Sequence, residues 1–144
     1  MPEGAQWAGA IMTAIDELFE AASAARRNAY APYSRFAVGA AIRSASGAIY
    51  RGANVENASY PVGACAETGA IAAMIVAGER EIAEILILGD GEALTTPCGA
   101  CRQRINEFAG KDARILVAGP DGVRASFSIG ALLPEAFGPS VARR

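Results

Sequence analysis

Trp7, Ile11, Ile15, Leu18, Phe19 and Ala22 recur at the three- and four-residue spacing of one helix face. The stripe fades at Arg26, Arg27 and Asn28, and Pro32 opposes any continuation. Residues 37–42 then read as a strand, Ser46-Gly47 as a turn and residues 49–55 as a second strand, a pairing close enough to be a hairpin. After the loop around Tyr60-Pro61-Val62-Gly63, the pattern predicts a helix over 65–77, ended by Gly78. Residues 85–88 are wholly apolar, as in a strand covered on both faces of a sheet. The cycle repeats with a loop over 89–97, a helix over 98–108 closed by Gly110, and an apolar strand over 115–118. Pro120-Asp121-Gly122 signals a tight turn into a last strand over 124–127. A short helix over 129–132 stops before Pro134.

A hairpin followed by strand–helix alternation predicts an α/β protein. The expected architecture is three-layered, α/β/α, with a single mixed sheet of about five strands and helices on both faces. No linker, low-complexity stretch or repeat divides the 144 residues, so one domain over 1–144 is expected. Charged residues make up 19% of the chain, below the typical share of about 25%. A surface short of charge suggests coverage by further copies, hence a homo-oligomer. The net charge of −2 offers no electrostatic footprint for a phosphate backbone, so no nucleic-acid partner is expected. The longest apolar run, over 70–77, is far below the ~20 residues of a membrane helix. The N-terminal stretch lacks a basic start, and Asp16, Glu17 and Glu20 interrupt it, so no export signal is expected. An odd cysteine count then favours a reducing compartment, and the expected location is cytoplasmic.

The chemistry concentrates in two phrases, Cys65-Ala66-Glu67 and Pro97-Cys98-Gly99-Ala100-Cys101, which hold all three cysteines. The chain has no histidine, which excludes Ser-His and Cys-His catalysis and imidazole acid–base chemistry. Three thiolates can hold a zinc ion and leave its fourth tetrahedral position open, as a catalytic zinc requires. Glu67, two residues from the first thiolate, is the carboxylate to move protons there. Both phrases fall at predicted helix starts, where unpaired N–H groups and the helix dipole favour a thiolate. A redox dithiol, a merely buried Cys65 and a structural zinc are the other readings. The last of these normally takes four protein ligands.

The two phrases match the all-cysteine version of the zinc-deaminase signature. Together with Tyr33-Ser34-Arg35-Phe36-Ala37-Val38-Gly39-Ala40-Ala41, Asn54-Val55-Glu56-Asn57-Ala58-Ser59-Tyr60-Pro61, Arg102-Gln103 and Leu132-Leu133-Pro134-Glu135-Ala136-Phe137-Gly138-Pro139, they make the chain resemble the cytidine deaminase family. The resemblance runs over residues 30–139, in order and without a large insertion. It implies hydrolytic deamination of cytidine and deoxycytidine in pyrimidine salvage, with one zinc per subunit held by Cys65, Cys98 and Cys101. It also implies that Glu67 shuttles the proton, that Asn54 and Glu56 bind the ribose 3′-hydroxyl, and that Phe36 lines the base pocket. The Ala66 backbone would meet the base edge and the Thr96 carbonyl the amine. Phe137 would enter a neighbouring subunit's site, which implies a homotetramer.

One departure matters. Family members with three cysteine ligands commonly carry arginine after the glutamate, where this chain has Thr68. Three thiolates on a divalent ion leave one negative charge, which a nearby cation offsets. Arg102 is the expected compensating cation, with Arg104 as a second candidate and backbone N–H donors in support. A deaminase of a modified cytosine nucleoside such as blasticidin S is the nearest rival reading. A non-enzymatic module with a structural zinc or a redox dithiol is the rival from another class.

Overall fold

Five strands form one mixed sheet in the order β2-β1-β3-β4-β5 in the computed structural model, which describes residues 12–142. Helix α1 (Ala14–Arg26) precedes β1 (Gly39–Ser44) and β2 (Ile49–Ala53), followed by a 3-10 turn (Tyr60–Val62) and helix α2 (Ala66–Val76). Then come β3 (Ile82–Leu88), α3 (Gly99–Phe108), β4 (Ala109–Gly119), β5 (Gly122–Ser128) and the short helices α4 (Ile129–Leu132) and α5 (Pro139–Ala142). β3 and β4 are parallel, joined by the α3 crossover, and the other neighbours are antiparallel.

The side-chain period of two assigns each face of the sheet a helix layer. Ala41, Leu86, Leu88, Leu116 and Ala118 pack against Leu18 and Ala22 of α1. Ala40, Ile42, Ile85, Ile87 and Ile115 pack against Ala66, Ala70, Ile71 and Met74 of α2 and Ile105 of α3. Covered on both sides, the central strands carry no polar alternation, which is why they read as short continuous apolar runs. The three-layer arrangement and the mixed five-stranded sheet are as the pattern predicts. Trp7 and Ile11 of the first stripe lie outside the described residues. The part of that stripe within them starts at a capping box, in which Asp16 N–H donates to Thr13 Oγ1 and Thr13 N–H to the Asp16 carboxylate.

Several boundaries differ from the sequence reading, each for a local reason. β1 begins two residues later than expected because side chains bind the backbone ahead of it: Arg26 Nε donates to the Ala37 carbonyl and Val38 N–H to Asn54 Oδ1. β4 begins six residues earlier than the apolar run, since its first half carries the exposed Lys111 and Asp112. Gly110 does not close α3. The chain turns at Ala109 (φ −66°, ψ 125°) straight into β4, and Gly110 lies within the strand. Gly78, at φ 92°, does end α2 as read.

Close approach sets where α2 begins. A Cβ on Gly52 of β2 would lie 2.3 Å from the Ala70 nitrogen and 2.4 Å from the Ala66 carbonyl oxygen. The hairpin therefore receives the first turns of α2 at backbone contact, which fixes Cys65 over the sheet edge.

Candidate active site

Cys65 is the N-cap of α2 and Cys98 the N-cap of α3, both extended (ψ 159° and 167°) and neither bonding a backbone N–H with its sulfur. Their side chains are thus free to turn outward from two helix starts. The bridge between Val55 and Ala64 holds the chain ahead of Cys65, with N···O distances of 2.9 and 2.8 Å. Buried Pro97 holds the chain ahead of Cys98. Cys101 sits one helical turn further into α3 and is fully buried.

The three sulfurs lie within 4.8 Å of one another, and Cys65 Sγ is 3.8 Å from Cys98 Sγ. Zn–S bonds of about 2.3 Å at tetrahedral angles put sulfurs about 3.8 Å apart. The donor set therefore fits zinc: three soft ligands, one face of a tetrahedron, and no fourth cysteine in the chain to close it. Burial pushes the Cys65 thiol above its ordinary value. Cys101 rises for the same reason, with the negative charges of Glu67 and the other two sulfurs adding to it. At Cys98 burial is outweighed by the nearness of the Cys101 backbone N–H and of the neighbouring thiols, and its value falls. The helix-start advantage thus prevails only at the exposed sulfur, and burial prevails at the other two.

Glu67, 4% exposed, stands on the first turn of α2 beside these sulfurs. Burial holds its carboxyl above the ordinary value against its own backbone N–H, the Cys101 thiol and the charge of Arg104. A carboxyl so placed keeps its proton to higher pH than an exposed glutamate does.

A cleft of about 450 Å³ opens at Cys65, walled by Tyr33, Ser34, Asn54, Glu56 and Tyr60 among others, and among the described residues its lining contains no lysine or arginine. Asn54 Nδ2 donates to the Phe36 carbonyl and its Oδ1 accepts from Val38 N–H, both at 2.8 Å. The Glu56 carboxylate accepts from Tyr33 N–H (2.9 Å), Ser34 N–H (3.0 Å) and the Ser34 hydroxyl. These bonds, the hydroxyl's first, hold Glu56 below the ordinary carboxylate value. Both side chains thus tie down the 33–38 loop from within the cleft wall.

The remaining candidates are distributed around this core. Ala66 is buried as the first residue of α2. The Phe36 ring is exposed on the tied loop. Thr96 precedes Pro97, its hydroxyl accepting from Arg102 Nη2 at 3.3 Å. Phe137 is 61% exposed, its carbonyl gripped by Gln103 Nε2 at 2.8 Å. Phe36, Ala66, Thr96 and Phe137 do not line the cleft. Thr68 makes no bond to a sulfur: its Oγ1 is buried without a partner.

The geometry corrects the expectation for Arg102. Its guanidinium donates to the carbonyls of Pro97 (2.8 Å) and Leu132 (3.0 Å), clamping the α3 entry to α4. The guanidinium at a sulfur is that of Arg104, whose Nη1 lies 3.6 Å from Cys101 Sγ. Residue i+3 shares a helix face with residue i and residue i+1 does not, a signal present in the Cys101-to-Arg104 spacing. The sequence reading also missed the edge-to-face pair of Tyr33 and Tyr60, with ring centroids 5.7 Å apart at the cleft wall.

A family model described as the cytidine and deoxycytidylate deaminase zinc-binding region matches residues 12–118. The cytidine deaminase of Halalkalibacterium halodurans is 40% identical over 120 residues, 83% of this chain and 91% of that protein. The crystal structure of cytidine deaminase from Burkholderia pseudomallei superposes with a TM-score of 0.74 at 41% identity, over 84% of this chain and 97% of that one. That of Mycobacterium tuberculosis gives 0.73 at 37% identity, covering 85% and 96%.

Proposed function

The chain belongs to the cytidine and deoxycytidylate deaminase family, and from that premise we propose that it hydrolyses cytidine and deoxycytidine to uridine and deoxyuridine with release of ammonia. The observation that carries this reading is a buried carboxyl, Glu67, beside three sulfurs, one of which, that of Cys65, belongs to the lining of a nucleoside-sized cleft. Cys65, Cys98 and Cys101 would hold one zinc per subunit, which when bound supplies a Lewis acid that brings water to ionise near neutral pH. Glu67 takes the proton released from that water and delivers it to ring N3 as attack at C4 loads charge onto the ring. It then assists departure of the exocyclic nitrogen as ammonia. Burial suits Glu67 to both transfers, because it lifts the carboxyl towards the pH at which it must exchange the proton.

The lining of the cleft favours a nucleoside over a nucleotide. With Glu56 held as an anion and no cationic side chain in the wall, a phosphate would enter unpaired. Asn54 and Glu56 keep the loop that carries Phe36 in place and offer their remaining acceptor and donor capacity to the ribose hydroxyls. The exposed Phe137 ring, anchored only through its backbone, suits insertion into a neighbouring copy, in keeping with a homotetramer. Among the described residues no helix is long and apolar enough to cross a membrane. A reducing cytoplasm, with a role in pyrimidine salvage, would keep the three thiols available for metal.

Ammonia release from cytidine, deoxycytidine, deoxycytidylate and blasticidin S tests the reading. Turnover of the two nucleosides is expected, with deoxycytidylate slower by at least an order of magnitude. Zinc-loaded protein that releases ammonia from none of them would overturn the enzyme assignment, and turnover of blasticidin S alone would replace the substrate.

A further inference from the structure

The cysteine-bearing end of the molecule gathers more negative charge than its ligands can balance. Three thiolates around a divalent ion sum to one negative charge, and the carboxylate of Glu67 stands beside them in a largely buried setting. We infer that Arg104 is the countercharge of this cluster, a positioning residue that holds Cys101 Sγ by a charge-assisted hydrogen bond from the next turn of its helix. The inference rests on the metal assignment made above and extends it to a side chain outside the deaminase signature.

Three observations carry it. Arg104 Nη1 points at Cys101 Sγ across 3.6 Å, from the next turn of the same helix. Arg102, the nearer cation in sequence, has its guanidinium engaged by Pro97, Leu132 and Thr96 and is unavailable to the sulfurs. Thr68, on the facing turn of α2, brings a buried hydroxyl without a partner and no charge. Cys101 is the most deeply buried of the three cysteines, so a cation at contact distance with its sulfur is little screened by solvent. Groups in such outer positions typically change metal affinity by about 10–100-fold when removed.

The test measures zinc affinity by chelator competition at neutral pH in the full chain, with cobalt(II) loading to record the sulfur-to-metal absorption band. Arg104 is exposed, so Arg104→Gln is expected to fold with an unchanged melting temperature in the absence of metal. It should weaken zinc binding roughly tenfold and shift the cobalt band. Arg104→Lys, which keeps a point charge, should retain most of the affinity. The same weakening should appear in a Glu67→Gln background, because the cation acts on the sulfurs and not through the carboxylate. A glutamine variant that binds zinc like the parent, a lysine variant as weak as the glutamine one, or an effect that vanishes in the Glu67→Gln background overturns the proposal. Ammonia release by the parent chain is read in parallel. Its absence with the affinity pattern intact sinks the deaminase reading alone.

Discussion

Glu56 lines the cleft and Glu67 lies buried beside the sulfurs, and their surroundings push the two carboxyls in opposite directions. Burial beside the sulfurs lifts Glu67, whereas the Ser34 hydroxyl and the Ser34 and Tyr33 amides hold Glu56 down. A carboxyl that exchanges a proton belongs where water is scarce and donors are few. One that is to remain an anion belongs on a loop of aligned donors. The same side chain type is thus raised by burial at Glu67 and held down by aligned donors at Glu56, and the difference lies in what surrounds it.

The strongest way to break this contrast is to remove the proton from one carboxyl only. Glu67→Gln keeps the shape and should leave zinc content unchanged while lowering kcat by about 10²–10⁴-fold, the usual range for a positioned acid–base group. Metal analysis beside steady-state kinetics checks both halves, and near-normal turnover would remove Glu67 from the role. Glu56→Gln should act on the other parameter. It weakens three tethers to the 33–34 backbone and hydroxyl, so KM should rise roughly tenfold with a smaller change in kcat. A variant of Glu56 that lowers kcat as deeply as the Glu67 variant would erase the distinction.

The clustering of the three cysteines was legible from the sequence and the tied loop was less so, for a physical reason. Cys65, Glu67, Cys98 and Cys101 occupy two helix starts, where spacing along the chain fixes placement in space, and the alternation of strands fixed the helices. Asn54 and Glu56 were readable as a pair but not as ties for the 33–38 loop, because that contact joins loops some 16 to 23 residues apart. Arg104 was read only as second to Arg102, since nearness in sequence and nearness on a helix face are different things. The early half of β4 was concealed by its exposed polar residues, and Gly110 misled because a helix is able to pass directly into a strand. The α5 turn at 139–142 carries no pattern long enough to read.

A milder change tests the tether itself. Ser34→Ala removes the hydroxyl that contributes most to lowering Glu56 while leaving both backbone amides in place. It should raise KM by about two- to fivefold, the effect expected of one lost hydrogen bond at an exposed site. An unchanged KM would mean that the two amides alone hold the loop.

The smallest effect concerns acid. The folded-state value of Glu56 lies below its ordinary 4.5, so its contribution to holding the loop is fully present above that pH and is lost as pH falls through the lowered value. Amide chemical shifts of Tyr33 and Ser34 should therefore titrate together with a midpoint below 4.5, while the sheet, which owes nothing to this carboxylate, keeps its shifts. In Ser34→Ala the common midpoint should move up towards 4.5, because the largest cause of the depression is gone. Glu67 is shifted in the opposite sense, above its ordinary value, so a signal that follows both residues at one midpoint would show that the two carboxyls are not independent.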